Sequence, residues 1–133
     1  MFRSIARFLL SLALCVSLSA PCFALDIPSG GSLTPEQGMA LLEEQAGKLT
    51  ILDVRTPGEF AAGHAPGALH IPVSELGARV AEVPAGPVLI VCRSGRRAQS
   101  AASILLRSGR PAEGLWYLSG YTDYSGGGVR FHN

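Results

Sequence analysis

Cysteine is scarce in this 133-residue chain. Of three cysteines, Cys15 and Cys22 stand near the N-terminus, and Cys92 is alone in the remaining sequence. A thiol without a partner cannot form an internal disulfide, so it stays available for chemistry. An excess of either charge is also missing: 11 Lys and Arg face 10 Asp and Glu. That balance argues against a nucleic-acid binder, whose affinity draws on surplus basic charge. No apolar run reaches the roughly 20 residues needed to span a bilayer. The longest, over 8–20, has 13 residues and is stopped by Pro21. Internal repeats are absent, and low complexity is confined to Gly126-Gly127-Gly128. The three histidines, His64, His70 and His132, have no cysteine or carboxylate at metal-ligand spacing. Neither a metal site nor a cofactor is implied.

What the N-terminus does have is the layout of a signal peptide. Arg3 and Arg7 form a basic start, an apolar stretch follows, and Cys22-Phe23-Ala24 offers small residues for cleavage before Leu25. The predicted organisation is a signal peptide over 1–24, a polar leader over 25–32, and one domain over 33–133. An uncleaved anchor and a lipidated Cys22 are the alternatives, and Pro21 suits neither. Cleavage leaves 109 residues with nine basic and ten acidic side chains, close to neutral and enough for one modest core. The expected location is the bacterial periplasm, with no stable membrane anchor. In that oxidising compartment Cys92 has no partner to pair with.

Along the rest of the chain, short apolar runs alternate with helical patterns. Thr34-Pro35-Glu36-Gln37 is a helix start: Thr34 as cap, Pro35 in the first turn, Gln37 closing a capping box. That helix is expected to end near Ala46, before Gly47. Buried strands are predicted over 49–54, 68–71, 87–91 and 115–118, and helices over 74–83 and 98–106. In the 74–83 helix, Glu75 and Arg79 stand at i,i+4 spacing. Residues 56–60 form a turn into a short helical piece, and the tail over 121–133 carries no clear pattern. Such alternation indicates an α/β domain with a mainly parallel sheet. Ligands then bind beyond the carboxyl ends of strands. Cys92 follows one strand and Asp53 closes another, so both belong to the same rim.

The loop Cys92-Arg93-Ser94-Gly95-Arg96-Arg97 carries the chemistry. At a strand-to-helix turn, backbone N–H groups converge and the helix dipole is positive. Gly95 lets the backbone curl so that these amides surround the sulfur. The amides and the guanidinium groups together favour thiolate over thiol. Arg93, Arg96 and Arg97 are donors suited to a sulfonate or a phosphate-like anion. His64 and His70 could in principle form a dyad with the cysteine. The reading preferred for both is a structural hydrogen bond near a turn.

Taken together, these residues resemble the rhodanese-homology domain, and especially small exported single-domain thiosulfate sulfurtransferases. The resemblance runs over 33–120. It rests on Leu52-Asp53-Val54-Arg55, Glu59-Phe60, Gly63-His64, Pro66-Gly67-Ala68, Ile71-Pro72, the Cys92 loop and Leu118-Ser119-Gly120, in that order. It implies an α/β rhodanese-like fold, with a mainly parallel five-stranded sheet and helices on both faces. It also implies that Cys92 takes the outer sulfur of thiosulfate and passes it to cyanide or a thiol. Arg93, Arg96 and Arg97 would hold the sulfonate, and the amides from Arg93 through Ser94, Gly95 and the arginines to Ala98 the reacting sulfur. Asp53, Arg55 and Glu59 would be supporting residues, with Arg55 pairing to Glu59 and Asp53 propping the loop. Two positions depart from the family pattern. Ala65 replaces a larger aliphatic residue, and Tyr121 stands where a second glycine is common. Trp116 and Tyr121 are expected mainly to pack, with Tyr121 at the pocket mouth as the alternative.

Two rivals remain. A carrier would hold the persulfide for a partner protein. A Cys-dependent phosphatase or arsenate reductase would need a loop one residue longer. Here Arg97 is five residues after Cys92 and the sixth is Ala98, which favours sulfur over a phosphoryl group.

Overall fold

A computed structural model describes residues 25–133. The expected signal peptide over 1–24 therefore lies outside the described residues. Three of the predicted strands are present, β5 (Leu115–Leu118) as predicted and β2 (Thr50–Asp53) and β4 (Val88–Val91) with small changes at their ends. A fourth, β3, shrinks to Leu69–His70. Pro72, which has no N–H to give to a ladder, follows closely. The fifth strand is β1 (Gly31–Leu33), and it corrects the reading of 25–32 as a leader. Its residues pair in parallel with β5, Leu33 opposite Leu118. The chain before it is docked as well. Gly114 N–H donates to the Ser29 carbonyl at 2.7 Å, and Trp116 Nε1 to the Pro28 carbonyl at 2.7 Å.

The sheet is wholly parallel, in the order β1-β5-β4-β2-β3. Its central strand β4 is buried on both faces, as a continuous Val-Leu-Ile-Val run requires. Val88, Ile90 and Cys92 point one way, into a cluster with Leu52, Ile71, Leu76 and Leu105. Leu89 and Val91 point the other way, towards Leu33, Leu41, Trp116, Leu118 and Phe131. Each cluster is closed by helices. α1 (Pro35–Glu44) covers the second, and α3 (Val73–Leu76) and α4 (Arg96–Arg107) cover the first. α4 buries Ala98, Ala101, Ala102 and Leu105, an i, i+3, i+4, i+7 stripe of mostly small residues.

Local signals explain the helix starts. The capping box at α1 forms as expected: Gln37 N–H donates to Thr34 Oγ1 at 3.3 Å, and Thr34 N–H to Gln37 Oε1 at 3.0 Å. The short α2 (Pro57–Ala62) repeats the device with Thr56 and Glu59. The single helix expected over 74–83 is instead α3, a break at Gly77, and a 3-10 turn, Val80–Glu82. Arg79 accordingly holds Glu82 at 2.6 Å more tightly than Glu75 at 3.6 Å.

The unread tail is a hairpin, β6 (Tyr121–Asp123) and β7 (Arg130–His132). Gly126 and Gly127 turn it with φ of 85° and 79°. Phe131 from β7 enters the core beside α1, where Gly38 leaves room for it. A Cβ on Gly38 would stand 2.9 Å from the Phe131 ring and 2.7 Å from Leu118.

Docking of the first described residues can be tested at Gly30. A Cβ there would fall 2.0 Å from the Ala112 carbonyl oxygen, a backbone atom that cannot step aside. Gly30→Ala should lower the unfolding free energy by about 1–3 kcal/mol in urea titration, the usual cost of overpacking. A neutral result would mean that this segment is a loose leader after all.

Candidate active site

The parallel register sets the site. Asp53 pairs with Val91 on one side and His70 on the other. Val54 N–H donates to the Val91 carbonyl at 3.1 Å, carrying the ladder to the rim. The residue after Val91 is Cys92, only 1% exposed. Asp53 and Cys92 thus share the carboxyl end of the sheet, as the sequence predicts, and Arg55 follows β2 by two residues.

The loop after Cys92 is shorter than expected, because α4 starts at Arg96 rather than Ala98. Gly95 is its cap residue, with φ 88° and ψ −27°. This left-handed turn aims two amides at the sulfur. Gly95 N–H reaches Cys92 Sγ at 3.0 Å, and Ala98 N–H reaches it at 3.4 Å. Of the amides expected from Arg93 to Ala98, these two make the contact. A sulfur held by two N–H donors at a helix start is placed to carry negative charge without a neighbouring base.

The arginines divide into two groups. Arg93, Arg96 and the Ser94 side chain are exposed at the loop surface. Arg97, expected to face the substrate, instead gives Nη1 and Nη2 to Glu59 at 2.7 and 2.8 Å. Arg55, expected to pair with Glu59, is bound to Asp53. Its Nε and Nη2 reach the Asp53 oxygens at 2.6–3.0 Å, and Nη2 also reaches the Gly63 carbonyl at 2.7 Å. The i+4 argument fails because α2 begins only at Pro57, so residues 55 and 59 do not share a helix face. Asp53 is fully buried, and its partner Arg55 is 7% exposed. Burial would lower the Arg55 pKa, but the hydrogen bond and charge of Asp53 outweigh it and the net shift is upward. Glu59 is held well below the usual carboxylate range. The Arg97 hydrogen bonds outweigh desolvation there, and the Thr56 amide and hydroxyl add to them.

The histidines are structural, as preferred. Phe60 lies between His64 and His70, with ring centroids 3.7 and 4.2 Å away. His64 Nδ1 donates to the Phe60 carbonyl and His70 Nε2 to the Arg55 carbonyl, each at 2.8 Å. Ala65 is buried and so is Trp116, the latter a packing residue with one hydrogen bond. Tyr121 departs from the packing expectation. It is 47% exposed and lines a cleft with Ser94, Gly95 and Arg96.

Two tail residues at the site are new. Thr122 Oγ1 donates to the Cys92 carbonyl at 2.7 Å and its N–H to the Arg93 carbonyl at 3.3 Å, so the hairpin is fastened to the cysteine loop. Tyr124 lies over Arg55, whose Cζ is 4.5 Å from the ring centroid. The available signal was two β-prone runs on either side of a glycine triplet, the pattern of a hairpin.

The comparisons with known proteins agree with this geometry. The family model described as rhodanese-like domain matches residues 34–127. The chain is similar to thiosulfate sulfurtransferase GlpE of Pseudomonas entomophila, 39% identical over 58% of this chain and 69% of that protein. It is also similar to the HTH-type transcriptional regulator Rv0324 of Mycobacterium tuberculosis, 36% identical over 60% of this chain. The chain spans only 39% of that regulator's length. In structure it resembles the human single-domain sulfurtransferase TSTD1, with a TM-score of 0.54 and 25% identity. That likeness covers 66% of this chain and 88% of the human one.

Two outcomes follow from the geometry. A Cβ on Gly95 would meet the Leu118 carbonyl oxygen at 3.0 Å and the Gly120 nitrogen at 3.2 Å, on a backbone already at positive φ. Gly95→Ala should cost about 1–3 kcal/mol of stability by strain alone, and its crystal structure should show the Gly95 amide turned off the sulfur. An unchanged loop would refute the account of Gly95. The second outcome concerns Glu59. Its folded pKa is depressed, so its stabilising contribution is complete above the unfolded glutamate range. That contribution fades as pH falls below this range and is gone once the folded carboxyl protonates. Glu59→Gln should cost about 1 kcal/mol at neutral pH for this part-exposed pair. The gap to wild type, measured by denaturation from pH 7 down to pH 3, should narrow. A constant gap would mean that the ion pair contributes nothing.

Proposed function

The chain belongs to the rhodanese-like family, and from that premise we propose that it is an exported sulfurtransferase that uses thiosulfate or a related anion as donor. The observation that carries the reading is the pair of amides on Cys92 Sγ, Gly95 N–H at 3.0 Å and Ala98 N–H at 3.4 Å. They stabilise the thiolate before reaction and again whenever it is released. In the first half-reaction the Cys92 thiolate attacks the outer sulfur of thiosulfate. A bond forms between Sγ and that sulfur, the bond to the sulfonate breaks, and its electron pair leaves with sulfite. In the second, cyanide or a thiolate attacks the terminal sulfur of the persulfide. The new bond forms to the acceptor, and the electron pair of the broken S–S bond restores the Cys92 thiolate. No external oxidant or reductant enters.

Arg93 and Arg96, exposed beside the loop, supply positive charge for the sulfonate. Arg97 acts through Glu59 as scaffold, which also weakens the phosphatase reading, since that chemistry needs an arginine turned over the cysteine. Export by the N-terminal segment fits a protein whose remaining cysteine, Cys92, is free. It would work in a compartment where most thiols pair.

The test is intact-protein mass spectrometry after incubation with thiosulfate. Wild type should gain the mass of one sulfur atom and lose it on adding cyanide, whereas Cys92→Ala should gain nothing. A wild type that gains no sulfur but hydrolyses an aryl phosphate would sink the reading. A gain that only a partner protein can discharge would identify a carrier instead.

A further inference from the structure

A cleft of about 770 Å³ opens at the amino end of the sheet, and the chemistry above makes no use of it. Pro87 and Gly114, the residues just before β4 and β5, stand on its wall. Cys92 comes after β4, roughly 16 Å of extended chain away. No residue of the cysteine loop lines the cleft. Its floor is apolar: Val83 and Leu105 are buried there, and Val80 and Pro87 are half-buried. Such a volume with such a lining is that of a small-molecule site.

One cation is built into the wall. α4 closes with a Schellman motif: Gly109 N–H donates to the Leu106 carbonyl at 3.0 Å, and Arg110 N–H to the Leu105 carbonyl at 3.1 Å. Gly109 makes this turn at φ 96° and so sets the direction of Arg110. The Arg110 side chain then reaches the 84–86 loop, where Nη2 donates to the Pro84 carbonyl at 2.6 Å and the Gly86 carbonyl at 2.8 Å. These bonds fix the guanidinium but engage only Nη2. Its Nε and Nη1 have no hydrogen-bond partner among the described residues, and Arg110 forms no salt bridge among them. Glu113 also lines the cleft, but it is exposed and pairs with no cation among the described residues. Burial lowers the Arg110 pKa, and no acidic group offsets that. A cation that is partly desolvated, held rigid and left without a counter-ion is organised in advance to receive an anion.

We propose that this cleft binds a small amphipathic monocarboxylate, with its apolar body on Val83 and Leu105 and its carboxylate on Arg110. The floor selects a hydrocarbon or aryl body, and the single unpaired cation selects a single negative charge. The site is separate from Cys92 and does not rest on the sulfurtransferase reading.

Sodium octanoate is the probe, titrated into the isotope-labelled protein and followed by amide NMR. Wild type should show saturable shifts at the Gly86, Gly109 and Gly114 amides, which lie around the cleft. Neutral octanol should bind about tenfold more weakly, the worth of one hydrogen bond to a charged group. Arg110→Gln should weaken octanoate by about the same factor and leave octanol unchanged, with the alkylation rate of Cys92 as in wild type. Because Arg110 also braces the 84–86 loop, a second variant leaves it in place. Ala81→Phe, at an exposed position on the cleft wall, should block both probes without lowering the melting temperature. The proposal is overturned by any of four results: no saturable shift with octanoate, shifts confined to the Gly95 and Ala98 amides, equal octanoate affinity in wild type and Arg110→Gln, or full affinity in Ala81→Phe.

Discussion

Cys92 Sγ has almost no contact with water, so a charge on it must be solvated by the protein. The N–H groups of Gly95 and Ala98 provide that solvation, and much of the surrounding architecture keeps them aimed. A helix start next to the sulfur requires α4 to begin at Arg96, directly behind a left-handed residue. That residue must be glycine, because Leu118, Ser119 and Gly120 pass too close for a side chain. The helix must then lie near the sheet, and it does so on alanines. The central strand β4 delivers the cysteine from a position buried on both faces. A charge at such a point is costly unless the donors are fixed beforehand, and here they belong to the backbone of a packed helix.

Fixing the donors engages two of the four arginines near the rim. Arg97 is the second residue of α4, and its pair with Glu59 ties the start of that helix to α2. Glu59 also accepts from the Thr56 amide, so one carboxylate caps one helix and anchors another. Arg55 joins buried Asp53 at the end of β2 to the Gly63 carbonyl at the end of α2. Both pairs make bidentate use of a planar guanidinium, geometry that lysine cannot copy. The remaining two, Arg93 and Arg96, stay exposed and form no salt bridge among the described residues. The four arginines thus divide into two that fasten the scaffold and two that stay in solvent.

The division was only partly legible in the residues. Strands with continuous apolar character, the capping box at Thr34 and the placement of Cys92 behind a strand could all be read, because each depends on local pattern. Which arginine meets which carboxylate could not. Glu59 and Arg97 are 38 residues apart, and only the adjacency of α2 and α4 brings them together. The edge strand Gly31–Leu33 was hidden for a related reason. Three residues carry too little periodicity to register, and its stability comes from the β5 ladder, the burial of Leu33 and the Trp116 hydrogen bond to Pro28. In the tail, glycine content masked two short runs whose pairing is plain only once Phe131 is seen in the core.

That tail changes how the site is built. The two sheets are separate, yet Thr122 joins the hairpin to the first two carbonyls of the cysteine loop, and Phe131 roots it between α1 and the sheet. The loop is therefore held from three directions: β4 behind it, α4 after it, and the hairpin alongside. A loop held only at its ends could satisfy its own amides by relaxing, and the sulfur would lose its donors. Clamped by the hairpin, its carbonyls are occupied by Thr122, which keeps them from competing for the N–H groups that face Cys92. The hairpin is thus a structural part of the site, although Cys92 lies 30 residues before Thr122.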